Sequence, residues 1–242
     1  MWRDSLLGIY YIALKDMRTY YLKPPSVSWG IFFPVVWILA FYLRNPQSFE
    51  ELVPGLIAMT ILFSTTAAEA VVINFELRLG SLERLLLAPI GLPSVLLGKV
   101  LGGALFGLIM TIIVTTSSVI VLGLHLNLFY LIIIIIPSLL AFSALGACVS
   151  VLVREVFEAQ VLLNFPRFLM LFLCGVLYPI SAMPQGLQYV AYVMPLTYTV
   201  DGLRLSFSTS SNTMVFIDVL VIIGFFLLFI FPAMRLLRRK FE

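Results

Sequence analysis

Between residues 100 and 153 the chain contains no aspartate, glutamate, lysine or arginine. A helix crosses the hydrocarbon core of a bilayer with about 20 apolar residues, so this run is too long for one crossing and long enough for two. His125 and Asn127 lie near its middle and divide it into predicted spans at residues 100–122 and 128–153. A soluble domain would leave much of such an apolar pair exposed, so the bilayer is the expected solvent of this chain.

Further hydrophobic segments complete a set of six predicted crossings. Of the 242 residues, 62% are hydrophobic and 11% are charged, whereas average soluble domains carry roughly 25% charged residues. The other crossings are predicted at residues 27–43, 52–74, 161–179 and 214–232. We therefore expect an all-α membrane protein with six transmembrane helices, forming one domain over residues 1–242.

The N-terminal segment, residues 4–22, has the pattern of an amphipathic helix. Leu6, Leu7 and Tyr10 share one broad apolar face, whereas Ile12 and Asp16 fit the pattern poorly. Such a helix lies in the membrane interface rather than across it. Because charged residues interrupt this segment, we expect no cleavable signal peptide, and the first span would act as the insertion signal.

Lysine and arginine are unequally distributed between the two sides of the six predicted spans. Loops rich in these residues face the cytoplasm, so both termini are predicted to be cytoplasmic. The outer segments contain only Arg44 and Arg204, and Arg167 lies within span five. The cytoplasmic segments contain Arg3, Lys15, Arg18, Lys23, Arg78, Arg84, Lys99, Arg154, Arg235, Arg238, Arg239 and Lys240.

The cytoplasmic loop between spans two and three carries the most informative motif, over residues 80–89. Gly80 and Ser81 can begin a short helix and Pro89 can end it, with Glu83 in the first turn, where a negative charge is favoured. From these residues alone, a helix that binds a soluble partner and an ordinary interfacial helix are equal alternatives. The candidate contact residues are Gly80, Ser81, Leu82, Glu83, Arg84, Leu85, Leu86 and Pro89, of which the three leucines share one side.

This loop resembles the coupling-helix region of the permeases of type-2 ATP-binding-cassette (ABC) exporters. The matching pattern is Gly-Ser-Leu-Glu from residue 80, then two leucines, a small residue and Pro89, and later Gly98-Lys99. Residues 175–204 resemble the outer segment before the last span in that family, and the six-span layout also matches. The resemblance covers nearly the whole chain and implies that residues 80–89 dock on a cytoplasmic ABC ATP-binding subunit.

The resemblance also implies that this chain has no ATPase site of its own. A P-loop needs Gly-x4-Gly-Lys-Ser/Thr, but around Gly98-Lys99 the first glycine is replaced by Pro93 and the Ser/Thr by Val100. We therefore expect a chain that is not an enzyme and holds no cofactor, with ATP and Mg bound on the partner subunit. The family implies a second permease, either a second copy of this chain, which would make a homodimer, or a related partner chain.

Between spans five and six, residues 180–213 form a long segment that prolines divide into short helical pieces. The resemblance implies short re-entrant outer helices that form a gate, and a surface loop covering the bundle is the alternative. An ion pair between Asp201 and Arg204 is expected on one helix face. The candidate gate residues are Tyr178, Pro179, Pro184, Pro195, Tyr198, Asp201 and Arg204.

Two ionisable residues are predicted inside the membrane, Glu69 in span two and Arg167 in span five. Their similar predicted depths allow an ion pair, which would lock the spans together or line the inner mouth of a pathway. Direct contact with a substrate is the other reading. Small residues in spans three and four allow close helix contact: Gly102, Gly103, Gly107, Ser143, Ala144, Gly146 and Ala147.

Together these features favour the permease subunit of an ATP-driven exporter in the cytoplasmic membrane, moving a drug-like or lipid-like hydrophobic or amphipathic substrate. The alternatives are an ABC permease for a polysaccharide or glycolipid, a membrane anchor without transport activity, and an intramembrane enzyme. The enzyme is disfavoured because His125, Cys148 and Cys174 lie too far apart to build a metal or nucleophile site. The expected partners are the ATP-binding subunit, a second copy, membrane lipids and a small hydrophobic substrate, and no nucleic acid.

Overall fold

The computed structural model describes residues 2–23, 49–86, 90–153, 155–208 and 213–241, together with the single positions 32, 36, 39 and 43. Within these residues the regular structure is helical, with no β-strand, and this agrees with the predicted all-α class. The predicted span at residues 27–43 lies outside the described residues, apart from the four single positions, each of which is helical.

Five of the described helices, α2, α4, α5, α6 and α9, are long and apolar enough to cross a membrane, and they correspond to predicted spans two to six. The other helices are the N-terminal helix and three short ones. In chain order the helices are α1 Trp2–Asp16, continued by a π-helical turn Met17–Tyr21, α2 Phe49–Arg78, α3 Ser81–Leu86, α4 Leu92–Leu122, α5 Leu128–Leu152, α6 Val156–Leu173, α7 Gln185–Tyr192, α8 Pro195–Phe207 and α9 Met214–Phe241, with a 3₁₀ turn Ile180–Ala182 before α7.

The N-terminal helix α1 has two different faces. Leu6, Leu7 and Tyr10 are exposed, as expected of residues that contact lipid. Ile12 and Asp16, which fit the amphipathic pattern poorly, are buried because α1 packs against α4. Other residues of the same predicted apolar face, among them Ala13, are buried as well, so the pattern in the sequence identified the lipid-facing residues only in part.

The bounds of four predicted spans differ from those of the helices. α2 occupies Phe49–Arg78 rather than residues 52–74. α4 begins at Leu92 rather than at residue 100, so Lys99 lies within the helix. α6 occupies Val156–Leu173 rather than residues 161–179, and the chain turns at Gly175, whose φ is 78°. α9 passes through Pro232 and ends at Phe241. Charged residues and prolines mark the end of an apolar stretch, but a helix can continue beyond it.

Helix α2 is the centre of the bundle, in contact with α4, α5, α6 and α8. The apolar part of α2 is 83% buried, against 17% for α9. Glycines allow the closest approaches: a Cβ on Gly107 would overlap Cγ2 of Thr65, and a Cβ on Gly146 would lie 2.9 Å from Cα of Thr66. The predicted close contact through small residues of spans three and four is therefore confirmed at these positions.

Candidate functional site

The motif between α2 and α4 does contain a short helix, α3. Gly80 adopts a φ of 65°, which favours glycine, and α3 begins at the next residue. Leu82 is buried and Leu85 half-buried in an apolar cluster that includes Ile12 of α1, whereas Arg84 is exposed. The side chains of Glu83 and Leu86, and all of Pro89, lie outside the described residues. The described leucines of α3 therefore pack onto the protein, and Arg84 points to solvent.

Four charged side chains meet where α1, α2 and α4 come together, and we call Lys15, Asp16, Glu76 and Lys99 the buried charge cluster. Nζ of Lys99 lies 2.6 Å from Oε2 of Glu76 and 3.3 Å from Oδ2 of Asp16. Nζ of Lys15 lies 3.0 Å from Oδ1 of Asp16 and also contacts Oε1 of Glu76. The two positive and two negative groups alternate, so each charge has two neighbours of opposite sign.

The buried charge cluster is deeply enclosed and adjoins α3. The side chains of Asp16, Glu76 and Lys99 are at most 1% exposed, and that of Lys15 is 36% exposed. The hydroxyl of Ser81, the first residue of α3, donates a hydrogen bond to the carbonyl oxygen of Glu76 at 3.3 Å. α3 is therefore attached both to the apolar cluster and to a residue of the charge cluster.

The surroundings of the two members on α1 shift their pKa values in the same direction. Burial raises the pKa of the Asp16 carboxyl above its ordinary value, although the ammonium groups of Lys99 and Lys15 oppose this. Burial lowers the pKa of Lys15, but the carboxylates of Asp16 and Glu76 outweigh it, so this pKa lies above its ordinary value. The ionised form of Asp16 thus depends on its two lysine neighbours.

Sequence reasoning missed this cluster. The sequence marks Lys99 as a cytoplasmic basic residue and as part of a Gly-Lys motif, although a lone cation in an apolar helix is itself a signal of a buried partner. Its partners could not be identified, because Asp16 is 83 residues away in sequence and Glu76 is 23 residues away.

Glu69 is fully buried in α2 and joins four elements. Its Oε1 accepts hydrogen bonds from the hydroxyl of Tyr21 at 3.3 Å, the backbone N–H of Gly103 at 3.1 Å and the hydroxyl of Ser143 at 3.2 Å. A Cβ at position 103 would overlap this oxygen, so the glycine is required by the carboxyl group. The other carboxyl oxygen of Glu69 is buried and has no hydrogen-bond partner.

The predicted ion pair between Glu69 and Arg167 is wrong. Nε of Arg167 donates to Oγ1 of Thr66 at 2.8 Å, and Nη1 donates to Oε1 of Gln160 and Oδ1 of Asn164, each at 3.1 Å. Glu69 instead faces α4 and α5 from another side of α2. Two residues at similar depth were therefore placed in separate polar sites by the rotation of α2 about its axis.

The outer segment between α6 and α9 consists of two short helices with different surroundings. Pro184 precedes α7 and Pro195 begins α8, where a proline is well tolerated. α8 is largely buried against α5 and α9, whereas α7 is largely exposed and so is Tyr178. Pro179 precedes the 3₁₀ turn. The sequence-predicted gate residues therefore lie in one segment, but only α8 is part of the bundle interior.

Arg204 connects this segment to the end of α6. Its Nη2 donates to the carbonyl oxygen of Gly175 at 2.6 Å, and its Nη1 lies 3.7 Å from Oδ1 of Asp201, which confirms the predicted pair. The hydroxyl of Tyr198 donates to the carbonyl oxygen of Tyr192 at 2.8 Å. These contacts hold α7, α8 and the turn at Gly175 together.

Comparison with known proteins gives one family. The model of the family described as "ABC-2 type transporter" matches residues 8–208, from α1 to the end of α8. The "Inner membrane transport permease YadH" of Escherichia coli is 24% identical over 222 residues, covering 84% of this chain and 85% of that protein, and the same values hold for the protein of that name in Shigella flexneri. The "Putative transport permease ycf38" of Cyanophora paradoxa is 27% identical over 209 residues, covering 78% of this chain and 70% of that protein.

Proposed function

This chain belongs to the ABC-2 type transporter family, and on that premise we propose that it is the membrane-spanning subunit of an ATP-driven exporter of hydrophobic or amphipathic molecules. It is a multi-pass transport permease of the cytoplasmic membrane, and its family implies a separate ATP-binding partner subunit. The export direction, the substrate type and the pairing of two identical copies are parts of the proposal.

The proposed topology has six spans with both ends in the cytoplasm. The five apolar helices α2, α4, α5, α6 and α9 supply five of these spans, and the hydrophobic residues 27–43 supply the sixth. The excess of lysine and arginine in the segments that this topology assigns to the cytoplasm supports the orientation. It places α3 and the buried charge cluster on the side of the ATP-binding subunit.

The observation that carries the proposal is the attachment of α3 to the buried charge cluster. A partner that pushes on α3 acts on Leu82 and on the Ser81–Glu76 hydrogen bond, and through them on α1, α2 and α4. Pulling one buried charge away from its partners costs about 3–5 kcal/mol, so the three helices resist separation at this point. The push would therefore tilt them as one unit rather than deform the loop.

At the other end of the bundle, α7 and α8 are the proposed outer gate. The contact of Arg204 with Gly175 joins the gate to the end of α6, while α8 packs against α2. A tilt of α2 can therefore reach the gate through contacts within the protein, and opening would release substrate outward.

The experiment that tests this proposal reverses one charge on α3. We would reconstitute the full chain with its candidate ATP-binding-cassette subunit and compare Arg84→Glu with Arg239→Glu, a matched reversal of an exposed arginine near the C-terminus. Like charges placed against each other in an interface cost several kcal/mol, so Arg84→Glu should weaken complex formation and permease-stimulated ATP turnover by at least about tenfold.

The control variant Arg239→Glu should leave both properties unchanged. If Arg84→Glu also leaves them unchanged while Glu83→Arg and Leu86→Asp do the same, then α3 is not the docking element and the proposal fails.

A further inference from the structure

Arg167 is a buried cation whose hydrogen-bond partners are all neutral. The residue is 2% exposed. Thr66, Gln160 and Asn164 accept its hydrogen bonds, and the ring of Phe63 lies 5.6 Å from its guanidinium carbon. No carboxylate of the described residues lies within ion-pair distance of it, and Nη2 has no hydrogen-bond partner.

The position of Arg167 makes this lack of a counter-charge costly. It lies eleven residues after Val156 and six before Leu173 in α6, which is about 16 Å and about 9 Å from the two helix ends. Its partner Thr66 is near the middle of the span Leu52–Arg78. A charge at such depth costs several kcal/mol unless it is paired, and in membrane helices it commonly marks a pathway.

A polar strip leads from Arg167 to the surface of α6. Gln160, Asn164 and Arg167 follow one another at four and three residues, so they share one face of the helix. Asn164 is exposed and Gln160 is half-buried. Both lie on α6, of which 28% is buried within the protein. Exposed amides do not suit a surface that contacts lipid tails, so this face suits a polar pathway.

We propose that Arg167, with Gln160 and Asn164, binds the anionic group of the transported molecule. This inference rests on the proposed permease function and narrows its substrate class to an apolar body carrying a carboxylate or a phosphate. The amide oxygens hold Nη1 in place, and Nη2 supplies N–H donors for an anionic oxygen. Arginine suits this task because its planar guanidinium stays charged and donates to two oxygens of one carboxylate or phosphate.

The neighbours of the guanidinium complete the recognition. The ring of Phe63 lies 6.0 Å from the ring of Phe168, which is exposed on α6, and these two rings suit the hydrocarbon part of an amphipathic anion. A neutral molecule of the same shape would leave the buried donors of Nη2 without a partner, so it should bind more weakly. A cationic molecule would be repelled by Arg167.

Equilibrium binding to the purified full chain in an uncharged detergent tests the site. The probe is dansyl-undecanoic acid, and its methyl ester is the matched neutral control. We expect the wild-type chain to bind the acid at least about tenfold more tightly than the ester, as for a hydrogen bond to a charged group. Arg167→Gln should lower the affinity for the acid to that for the ester, and Arg239→Gln, a matched change of an exposed arginine near the C-terminus, should keep the preference.

Equal binding of acid and ester by the wild-type chain would overturn the proposal, and so would an unchanged preference in Arg167→Gln. If Arg167→Gln fails to give a monodisperse protein, two other measurements decide between the outcomes. They are the ratio of the wild-type affinities for acid and ester, and the same ratio in Arg167→Lys, which should retain part of the preference. Binding needs neither ATP nor the partner subunit. If the docking experiment on α3 fails but the wild-type chain still prefers the acid, only the permease mechanism is rejected. If docking is confirmed but the chain shows no preference for the acid, only the substrate class is rejected.

Competition identifies the source of the anion. Lysophosphatidic acid should displace the probe and neutral monoacylglycerol should not. If phosphatidylglycerol at its membrane mole fraction displaces the probe, the occupant of the site is a membrane lipid. If lysophosphatidic acid displaces the probe and phosphatidylglycerol does not, the occupant is a single-chain cargo. Both results support an anion site, whereas displacement by no anion contradicts it.

Discussion

Replacing Lys99 by methionine tests whether the buried charge cluster holds α1 against α2 and α4. Methionine is similar in length and adapts to irregular surroundings, so the packing of α4 is largely retained. The substitution leaves two buried carboxylates, those of Asp16 and Glu76, which had lain 3.3 Å and 2.6 Å from one ammonium group. Only Lys15, which is 36% exposed, then remains beside them.

The size of the effect follows from burial. Removing one partner of a buried ion pair costs about 3–5 kcal/mol, because the other charge stays buried without compensation. Lys15→Met should cost less, about 1 kcal/mol or below, because solvent screens a partly exposed pair. The double variant with Lys99→Met and Glu76→Gln leaves Asp16 facing Lys15, so it should recover part of the loss through coupling between neighbouring sites.

Thermal unfolding of the purified full chain in one detergent measures these differences. We expect the order of stability to be wild type, Lys15→Met, the double variant and then Lys99→Met. Equal loss in Lys99→Met and Lys15→Met would refute the argument from burial. A double variant that is no more stable than Lys99→Met would show that uncompensated charge is not the cause of the loss.

Two further predictions concern contacts between helices. Gly146→Ala should destabilise the chain by about 1–3 kcal/mol in the same unfolding assay, because its Cβ would lie 2.9 Å from Cα of Thr66. The control Gly224→Ala, with no atom within 4 Å of the new Cβ, should be near neutral. Equal effects of the two substitutions would contradict the packing. Arg204→Gln should speed proteolysis between residues 174 and 184, because it removes the 2.6 Å hydrogen bond to the carbonyl oxygen of Gly175. Asp201→Asn, which keeps that bond, is the control, and equal cleavage rates in the two variants would argue against its role.

The location of the apolar helices and of α3 could be predicted from local features. The charge-free run over residues 100–153 predicted two spans, and the helices α4 and α5 occupy it. Gly80 and Ser81 predicted the start of α3, and the structure shows Gly80 in a left-handed backbone conformation that favours glycine. The spacing of Asp201 and Arg204 predicted their contact. Each of these inferences depends on residues that are close in sequence.

The partners of the buried ionisable residues could not be predicted in this way. Depth in the membrane can be read by counting residues, and it placed Glu69 and Arg167 at similar levels. Which side of α2 faces α4, α5 or α6 is set by packing, and a helix that is apolar nearly all round contains no pattern that shows it. The pairing of Lys99 with Asp16 across 83 residues has the same cause.

The sequence by itself therefore determined the solvent of this protein, the position of its apolar helices and the presence of a short helix between α2 and α4, since these depend on hydrophobicity, charge and local backbone preference. The tertiary structure alone decided which polar groups of different helices meet. It gave Glu69 hydrogen bonds from Tyr21, Gly103 and Ser143, and it left Arg167 among neutral oxygens. The physical reason is that the rotation of a helix about its axis is chosen by its neighbours.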